Sequence, residues 1–582
     1  MDATVSTEEA HAGVGEVLVE RDVPVPMSDG TMLRASVYRP QAPGTYPVVV
    51  ERTAYDLALR VETDALYFAR HGYAFVAQHV RGRFGSEGRT RPWHDDGWGR
   101  HRDGYDTIAW AATQPWSDGN VGMSGGSYSG YTQYLAAPTR PPHLKALYVR
   151  QGLANPYRDL VFPGGAHNLH TVRLWALRSM LIPELTQHPT GLQPDADLAS
   201  LEAALASIEQ VCQHLPLKSC PPLEKAGADW YFEWLDHPED GAYWHMLDVG
   251  HKLGEIDAPT VHLGGWFDPF IHATLDCFAG VRARGWSETC RQGQRLVVGP
   301  WIHWAPDVSR RYVGELDFGE AADIEFNAVQ RRWFDYWLKG VDTGVPDETP
   351  IRIFLMGVDR WLDLADWPPP GATNRSVYFR SGAGRTAESL NSGRLTFAPP
   401  DDVEEPDGFV YDPSDPVPSL LAYPQLGPTD HRSIESRMLT YTSDPLERDL
   451  IVVGPLTAVL YGRSSAPDTD WVIRLCDVWP DGRSLSIRDA ILRARYRSSF
   501  EHPEPMTPGQ VYRFELDLGA TAQVFKVGHR LRVEVTSSDF PRYDRNLNTG
   551  GPFGTETDGR AAVNTVLHDA MRASHLVLPV MD

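Results

Sequence analysis

Cysteine is scarce in this sequence, and long apolar segments are missing from it. The 582 residues include five cysteines, an odd number with no Cys-x-x-Cys spacing, which argues against a disulfide framework and against a zinc site. No run of about 18 or more apolar residues occurs, so the sequence predicts no membrane-spanning helix. Residues 1–17 are polar and acidic and lack the apolar core of a signal peptide. We therefore expect a cytoplasmic protein without a membrane partner.

Basic residues are fewer than acidic residues in this sequence. Lysine and arginine total 54 against 77 aspartate and glutamate residues, which gives a net charge of −23. Such a chain repels nucleic acids and anionic membranes, so neither is expected as a partner. No metal-ligand spacing and no phosphate-binding glycine loop is evident, and no metal or cofactor is predicted. The length predicts two to four domains.

The first part of the chain alternates short apolar runs with amphipathic segments. Residues 46–50 and 73–77 have the continuous apolar character of buried parallel strands, and residues 57–70 between them have a helical pattern. A strand, a helix and a second strand form a βαβ unit, which predicts an α/β domain with a parallel sheet. The same pattern resumes at residues 259–263 and 295–298.

Two regions depart from this pattern. Between about residues 156 and 250, segments rich in Ala, Leu and Trp have helical spacing, which predicts a helical insertion. Beyond residue 346, short alternating segments lie between turns rich in Pro, Gly and Asp, which favours an all-β sandwich or jelly roll. The predicted domains are an α/β domain in two parts, a helical cap inserted into it and a C-terminal β domain: 1–155 with 251–345, 156–250, and 346–582.

A glycine-flanked serine follows one of the predicted strands. Ser127 stands in the sequence GGSYSG of residues 125–130, between a strand-like segment at 120–123 and a helix-like segment at 132–137. A nucleophilic serine sits on such a sharp strand-to-helix turn, where neighbouring side chains would clash and glycine is needed. The turn also aims the Tyr128 backbone N–H, at the start of the helix, toward a developing oxyanion. Because ordinary loops also contain glycine-flanked serines, this motif alone leaves the assignment open.

A serine nucleophile also needs a histidine base and an acid that orients it. In this topology they follow the serine in the order Asp, His. Asp268 ends one apolar segment and His303 follows the next, and loops at strand ends are where a parallel sheet holds its ligand site. Asp268 could instead cap a helix, and His303 is one of 21 histidines. The order and context of all three nevertheless predict a catalytic triad of Ser127, Asp268 and His303.

These motifs resemble those of the cocaine esterase and X-Pro dipeptidyl-peptidase family of α/β-hydrolases, and most closely its cocaine esterase branch. The resemblance rests on GGSYSG at 125–130, GWFD at 265–268 and GPWIH at 299–303. It covers nearly the whole chain, since it continues through four further segments, at residues 81–82, 86–88, 412–419 and 540–546. It implies an α/β-hydrolase fold with a helical cap and a C-terminal jelly roll.

The resemblance also implies roles that spacing alone does not predict. In this family a tyrosine hydroxyl after the first strand serves as the second oxyanion donor, and the segment RTAYD at 52–56 assigns that role to Tyr55. The resemblance implies a reaction without metal or cofactor, and a homodimer as a frequent assembly. One departure is His79, where the family pattern leads us to expect Asp. We expect this to be a packing or hydrogen-bonding change away from the chemistry.

The residues after the triad aspartate bear on the substrate. Family members that hydrolyse α-amino acid esters carry additional carboxylates there, whereas Pro269 and Phe270 follow Asp268 in this chain. We therefore expect an uncharged, apolar or aromatic acyl group, lined by Phe270 and the cap residue Trp175, unless both are core aromatics. The predicted function is a serine hydrolase that cleaves carboxylic esters of small molecules through an acyl-enzyme. An acylase or amidase on β-lactam-type side-chain amides, an X-Pro dipeptidyl-peptidase and a non-enzymatic binding protein remain as alternatives.

Overall fold

A large mixed sheet organises the first part of the molecule. The computed structural model describes residues 15–188, 197–303, 310–422 and 426–581, without the side chains of residues 59 and 60. Strands β9 and β10 form a separate hairpin, and the other described strands of this part join in the order β1-β2-β4-β3-β5-β6-β7-β8-β11-β12. Their bounds are β1 (Val17–Pro26), β2 (Met32–Pro40), β3 (Tyr46–Thr53), β4 (Ala74–His79), β5 (Ser117–Gly126), β6 (Leu144–Arg150), β7 (Thr260–Phe267), β8 (Gln294–Ile302), β9 (Tyr312–Val313), β10 (Leu316–Asp317), β11 (Ile351–Leu355) and β12 (Arg360–Leu364).

The middle of this sheet is parallel and buried. Strands β4, β3, β5, β6, β7, β8 and β11 pair in parallel with their neighbours, while β1, β2 and β12 add antiparallel edges. Val48 and Val50 of β3 belong to one core cluster and Val49 belongs to another, because alternate residues of a strand face opposite sides. Both faces are therefore covered, and the loops after β5, β7 and β8 meet at one edge of the sheet.

Helices provide that cover and also form an insertion between β6 and β7. Helix α14 buries Phe326, Gln330, Trp333, Phe334 and Leu338, whose spacing of three to four residues places them on one face. Helices α5 to α11 occupy the insertion. The bounds of the described helices are α1 (Leu57–Arg60), α2 (Glu62–Arg70), α3 (Asp103–Ala112), α4 (Tyr128–Ala136), α5 (Leu169–Trp175), α6 (Ile182–Gln187), α7 (Leu198–Ala206), α8 (Ile208–Gln213), α9 (Pro221–Lys225), α10 (Asp229–Asp236), α11 (Ala242–His245), α12 (Ile271–Arg284), α13 (Glu288–Gln292) and α14 (Phe326–Lys339).

The C-terminal part consists mainly of strands. Its described pairs are antiparallel except for β14 with β16, and alternate residues build a core of their own that includes Phe379, Trp471 and Phe514. The strands are β13 (Thr373–Arg380), β14 (Gly393–Thr396), β15 (Asp407–Tyr411), β16 (Leu439–Ser443), β17 (Leu450–Ser464), β18 (Asp470–Val478), β19 (Ser484–Arg493), β20 (Tyr512–Phe525), β21 (Arg530–Thr536), β22 (Ala562–Leu567) and β23 (His575–Met581).

The predicted fold class is confirmed: an α/β-hydrolase with a helical insertion and a C-terminal β domain. The jelly-roll arrangement of its strands and the domain boundaries stay predictions. The helix predicted over residues 57–70 is interrupted at Val61, which separates α1 from α2.

Among the described residues, every helix is too short or too polar to span a bilayer. All five cysteines are buried free thiols.

Candidate active site

Ser127 lies on the tight turn between β5 and α4. Its backbone has φ of 57° and ψ of −119°, a conformation that residues with side chains rarely adopt. The Ser127 N–H donates to the Arg150 carbonyl at 2.9 Å, which holds the turn against β6. A Cβ atom at Gly125 would overlap Ser129, and one at Gly130 would lie 2.9 Å from the Arg150 carbonyl oxygen. Gly125 and Gly130 are therefore required by close packing around the serine.

The structure brings the three predicted triad residues together. The Nε2 atom of His303 lies 2.9 Å from Ser127 Oγ, and its Nδ1 atom lies 3.0 Å from Asp268 Oδ1. Asp268 follows β7, is fully buried and also accepts the Phe270 N–H at 3.0 Å, so its carboxylate is fixed. His303 follows β8, the strand next to β7. This arrangement fits a serine nucleophile with a general base and an orienting acid.

The two predicted oxyanion donors lie beside the serine. Tyr55 follows β3 and lines the same cavity as Ser127, and its ring meets that of Tyr128 edge to face with centroids 5.8 Å apart. The Tyr55 hydroxyl accepts a hydrogen bond from the Trp175 indole N–H at 2.9 Å. Tyr128 is the first residue of α4, where a backbone N–H has no acceptor within the helix. Both groups are thus suited to bind a negatively charged oxygen near Ser127.

A cavity of about 380 Å³ opens over Ser127 and His303. Phe270 and Trp175 both line it, and the Phe270 ring meets the His303 imidazole edge to face at 4.9 Å. Residues of the C-terminal domain complete the wall, mainly from strands β19 and β20: Ser486, Ile487, Arg488, Asp489, Ala490, Ile491, Leu492, Glu515, Leu516 and Asp517. The α/β domain, the cap and the β domain therefore enclose one cavity together.

Two acids at the cavity wall, Asp159 and Asp489, are held by local partners. Asp159 accepts the backbone N–H groups of Ala154 and Asn155 at 2.7 and 2.8 Å and pairs with Arg158. Burial opposes the ionisation of Asp489, but Arg542 and two further arginines hold its pKa below the usual range. Within the described ranges, no group of three or more His, Cys, Asp or Glu side chains is arranged to hold a metal ion.

Glu51, near the end of β3, is a buried acid that the sequence analysis does not identify. It lines the cavity and lies behind the serine turn, where a Cβ at Gly125 would approach its Oε1 to 3.1 Å. Burial raises the pKa of Glu51 to about 8, although the nearby Arg150 opposes this shift. Glu51 is therefore a neutral acid at neutral pH. The only sequence signal is a charged residue inside an apolar strand.

His79 lies closer to the candidate site than the sequence analysis expects. Its imidazole packs against the Phe84 ring with centroids 4.6 Å apart and the ring planes tilted by 31°, and it contacts the backbone of Tyr55. Burial lowers the pKa of His79 to about 3, so the ring is neutral. The side chain therefore supports the segment that carries Tyr55.

Two family models match the sequence. The model described as X-Pro dipeptidyl-peptidase (S15 family) matches residues 29–305. The model described as the X-Pro dipeptidyl-peptidase C-terminal non-catalytic domain matches residues 343–577. The first range includes Ser127, Asp268 and His303, and the second includes nearly all of the C-terminal β domain.

Similar proteins extend over the whole chain. The cocaine esterase of Rhodococcus sp. (strain MB1 Bresler) is 35% identical over 588 residues, which cover 97% of this chain and 99% of that protein. The solved structure of an α-amino acid ester hydrolase is 26% identical, with 100% of both chains covered and a TM-score of 0.78. An aminopeptidase structure from a marine sediment Thaumarchaeota archaeon shares the fold at 24% identity, with 98% and 97% coverage and a TM-score of 0.80. This chain therefore belongs to the X-Pro dipeptidyl-peptidase (S15) family, as its motifs predict, and is a serine hydrolase with the α/β-hydrolase fold.

Proposed function

We propose that this serine hydrolase cleaves carboxylic esters with an uncharged, apolar or aromatic acyl group, through an acyl-enzyme on Ser127. The observation that carries the proposal is the chain of hydrogen bonds from Asp268 through His303 to Ser127 Oγ. It lies in a cavity of about 380 Å³, which is within the size range of small-molecule sites.

In the first half of the reaction, Ser127 Oγ attacks the ester carbonyl while His303 Nε2 accepts the hydroxyl proton. Asp268 accepts a hydrogen bond from His303 Nδ1–H, which fixes the neutral tautomer and then stabilises the imidazolium. The Tyr128 N–H and the Tyr55 hydroxyl donate to the oxyanion of the tetrahedral intermediate. When the intermediate collapses, the C–O bond to the alcohol breaks and His303 gives its proton to the departing oxygen.

The second half repeats these steps with water. His303 Nε2 takes a proton from water as the water oxygen attacks the acyl carbon, and the same two donors bind the new oxyanion. Collapse breaks the bond to Ser127 Oγ and returns the proton to the serine. The carboxylic acid leaves, and the enzyme regains its starting state without any cofactor.

The surroundings of Glu51 and Asp159, two of the acids that line the cavity, support an uncharged acyl group. A substrate ammonium would need a free carboxylate near Ser127. Asp159 is already engaged by two backbone N–H groups and by Arg158. Glu51 has its pKa raised by burial to about 8 and carries little negative charge at neutral pH. Two aromatic rings can make apolar contacts with the acyl group instead. They are Phe270, whose ring meets the His303 imidazole edge to face, and Trp175.

The test is turnover of p-nitrophenyl acetate and p-nitrophenyl benzoate by the wild type and Ser127→Ala. Loss of the nucleophile should lower kcat by about 10³-fold or more. Ser129→Ala is the matched control because it removes a hydroxyl from the same turn, and it should keep wild-type turnover. A Ser127→Ala variant with wild-type kcat would contradict the proposal.

Amide and X-Pro peptide hydrolysis are the competing activities, and the same assay separates them. Ala-Pro-p-nitroanilide probes a dipeptidyl-peptidase, and the anilide of an aromatic acid probes an amidase. We expect kcat/KM for the esters to exceed that for both amides. An amide hydrolysed more efficiently than the ester of the same acid would replace the esterase proposal by an amidase.

A further inference from the structure

We propose that Trp175 of the cap is a positioning residue for the oxyanion donor Tyr55, so that the docked cap completes the catalytic site. This inference rests on the proposed function, because it assumes that Tyr55 stabilises the oxyanion. It assigns Trp175 a role different from lining the acyl pocket.

The hydrogen bond between the two side chains carries the inference. Trp175 Nε1–H donates to the Tyr55 hydroxyl oxygen at 2.9 Å. An indole N–H can only donate, whereas a phenolic hydroxyl has acceptor lone pairs as well as one hydrogen. Accepting from Trp175 therefore does not consume the hydrogen that an oxyanion needs. It restricts the directions of that hydrogen and polarises the O–H bond, since linked hydrogen bonds strengthen one another.

The Trp175 indole is itself fixed by aromatic packing. It stacks on Trp93 and Trp234, with centroids 5.9 Å away in both cases and interplanar angles of 8° and 9°. The Trp230 ring meets it edge to face at 5.2 Å. Trp93 also stacks on the other oxyanion residue, Tyr128, at 4.8 Å. One aromatic cluster thus joins the cap to both predicted donors, and such contacts add stability beyond their buried area.

A second connection ties the cap to the residue before Tyr55. The buried Arg83 donates to the Ala54 carbonyl at 3.0 Å and to the Met180 carbonyl at 2.8 Å, and it pairs with Glu184 of the cap at 3.1 Å. Burial lowers the pKa of Arg83, and Glu184 opposes that shift. The segment that carries Tyr55 is therefore held by the cap through its backbone as well as through its hydroxyl.

A double-mutant cycle on the full-length enzyme tests the inference, with p-nitrophenyl benzoate as substrate. Trp175→Phe keeps an aromatic ring and removes the donor, and it should lower kcat about tenfold, as expected for one ordinary hydrogen bond, with KM nearly unchanged. Tyr55→Phe should lower kcat by about 10²–10³-fold. In the Tyr55→Phe background, Trp175→Phe should change kcat no further, since the acceptor is already gone.

Trp230→Phe is the control for general damage to the cluster, because Trp230 packs against Trp175 and is on α10 rather than beside Tyr55. It should lower kcat less than Trp175→Phe does, whereas both changes remove indole contacts within the cluster and should lower the thermal midpoint by similar amounts. The rate of inactivation by a fluorophosphonate, whose phosphoryl oxygen enters the same oxyanion site, should follow kcat across the cycle.

Three results would overturn the inference. Trp175→Phe could lower kcat equally with and without the Tyr55 hydroxyl, it could raise KM alone as a residue that only lines the pocket would, or Trp230→Phe could reproduce its effect. In each case the wild type would still hydrolyse the ester, so the proposed function would stand. Failure of that function would appear separately, as a wild type without esterase activity.

Discussion

Ser127 and Glu51 are two residues whose surroundings decide their properties. The positive φ of Ser127 is strain of the order of 1–3 kcal/mol, and its hydrogen bond to the Arg150 carbonyl maintains it. Arg150 also pairs with Asp64 at 3.0 Å, and both charges influence Glu51. The proposed nucleophile and the buried acid are therefore both influenced by Arg150, the first through its backbone carbonyl and the second through its charge.

Glu51 should make the stability of the protein depend on pH. Its folded pKa of about 8 lies above the ordinary 4.5. Below pH 4.5 both states are protonated and the group has no effect. Between the two values only the unfolded state releases the proton, so the free energy of unfolding falls by about 1.4 kcal/mol per pH unit. Above the folded pKa the contribution is constant.

Glu51→Gln should remove this slope, because the amide does not titrate. The test is denaturant unfolding at a series of pH values from 5 to 9, which gives the difference in the free energy of unfolding between variant and wild type at each pH. That difference should grow up to the folded pKa and then level off. The exposed Glu202 provides the control Glu202→Gln, which should follow the wild type. Parallel curves for Glu51→Gln and wild type would refute the burial argument.

At the scale of helices and strands, the sequence predicts those features that the local pattern of residues determines. Helix α14 shows this at its C-terminus, where Gly340 ends it in the left-handed conformation with φ of 68°. Asp268 and His303 can be identified from the sequence because each follows an apolar segment that predicts a strand. The Trp175–Tyr55 hydrogen bond joins residues 120 positions apart, and Trp93 lies outside any helix or strand. No local pattern signals such contacts, so they required the structure.

The strand-to-helix turn gives a prediction at this scale. Gly125 has φ of 132°, and an added Cβ would overlap Ser129, so Gly125→Ala should lower the free energy of unfolding by more than about 1 kcal/mol and should lower kcat. At Gly126 the added Cβ would lie 3.4 Å from Arg150, an ordinary contact. Gly126→Ala should therefore change stability less. Denaturant unfolding and ester turnover measure both, and equal effects would contradict this account of the motif.

For the whole molecule, residues from all three predicted parts of the chain line the cavity of the candidate site. Strand β19 of the C-terminal domain forms part of the cavity wall, and the His167 N–H donates to Asp544 across the domain contact at 2.7 Å. The alternating segments of the sequence predict a β domain but not which residues it contacts, because packing between domains leaves no periodic signal. The homodimer that the family resemblance implies stays a prediction.

At Gly164 the chain after β6 packs directly against β19. Its φ is 58°, and a Cβ there would overlap the Ile491 carbonyl oxygen, so Gly164→Ala should push the β domain away from the cavity. We expect a higher KM for p-nitrophenyl benzoate and a lower thermal midpoint. Gly241→Ala is the control, since a Cβ at that position meets nothing within 4 Å. Identical KM values for the two variants would show that β19 does not shape the substrate site.

The most direct test of the catalytic assignment is covalent labelling of the wild type by a fluorophosphonate, with the modified peptide located by mass spectrometry. Only a serine activated by a neighbouring base reacts readily with this reagent. We predict a single label on Ser127, and none in the Ser127→Ala variant. A label on Ser124 or Ser129, or no label on an enzyme that hydrolyses esters, would contradict the account.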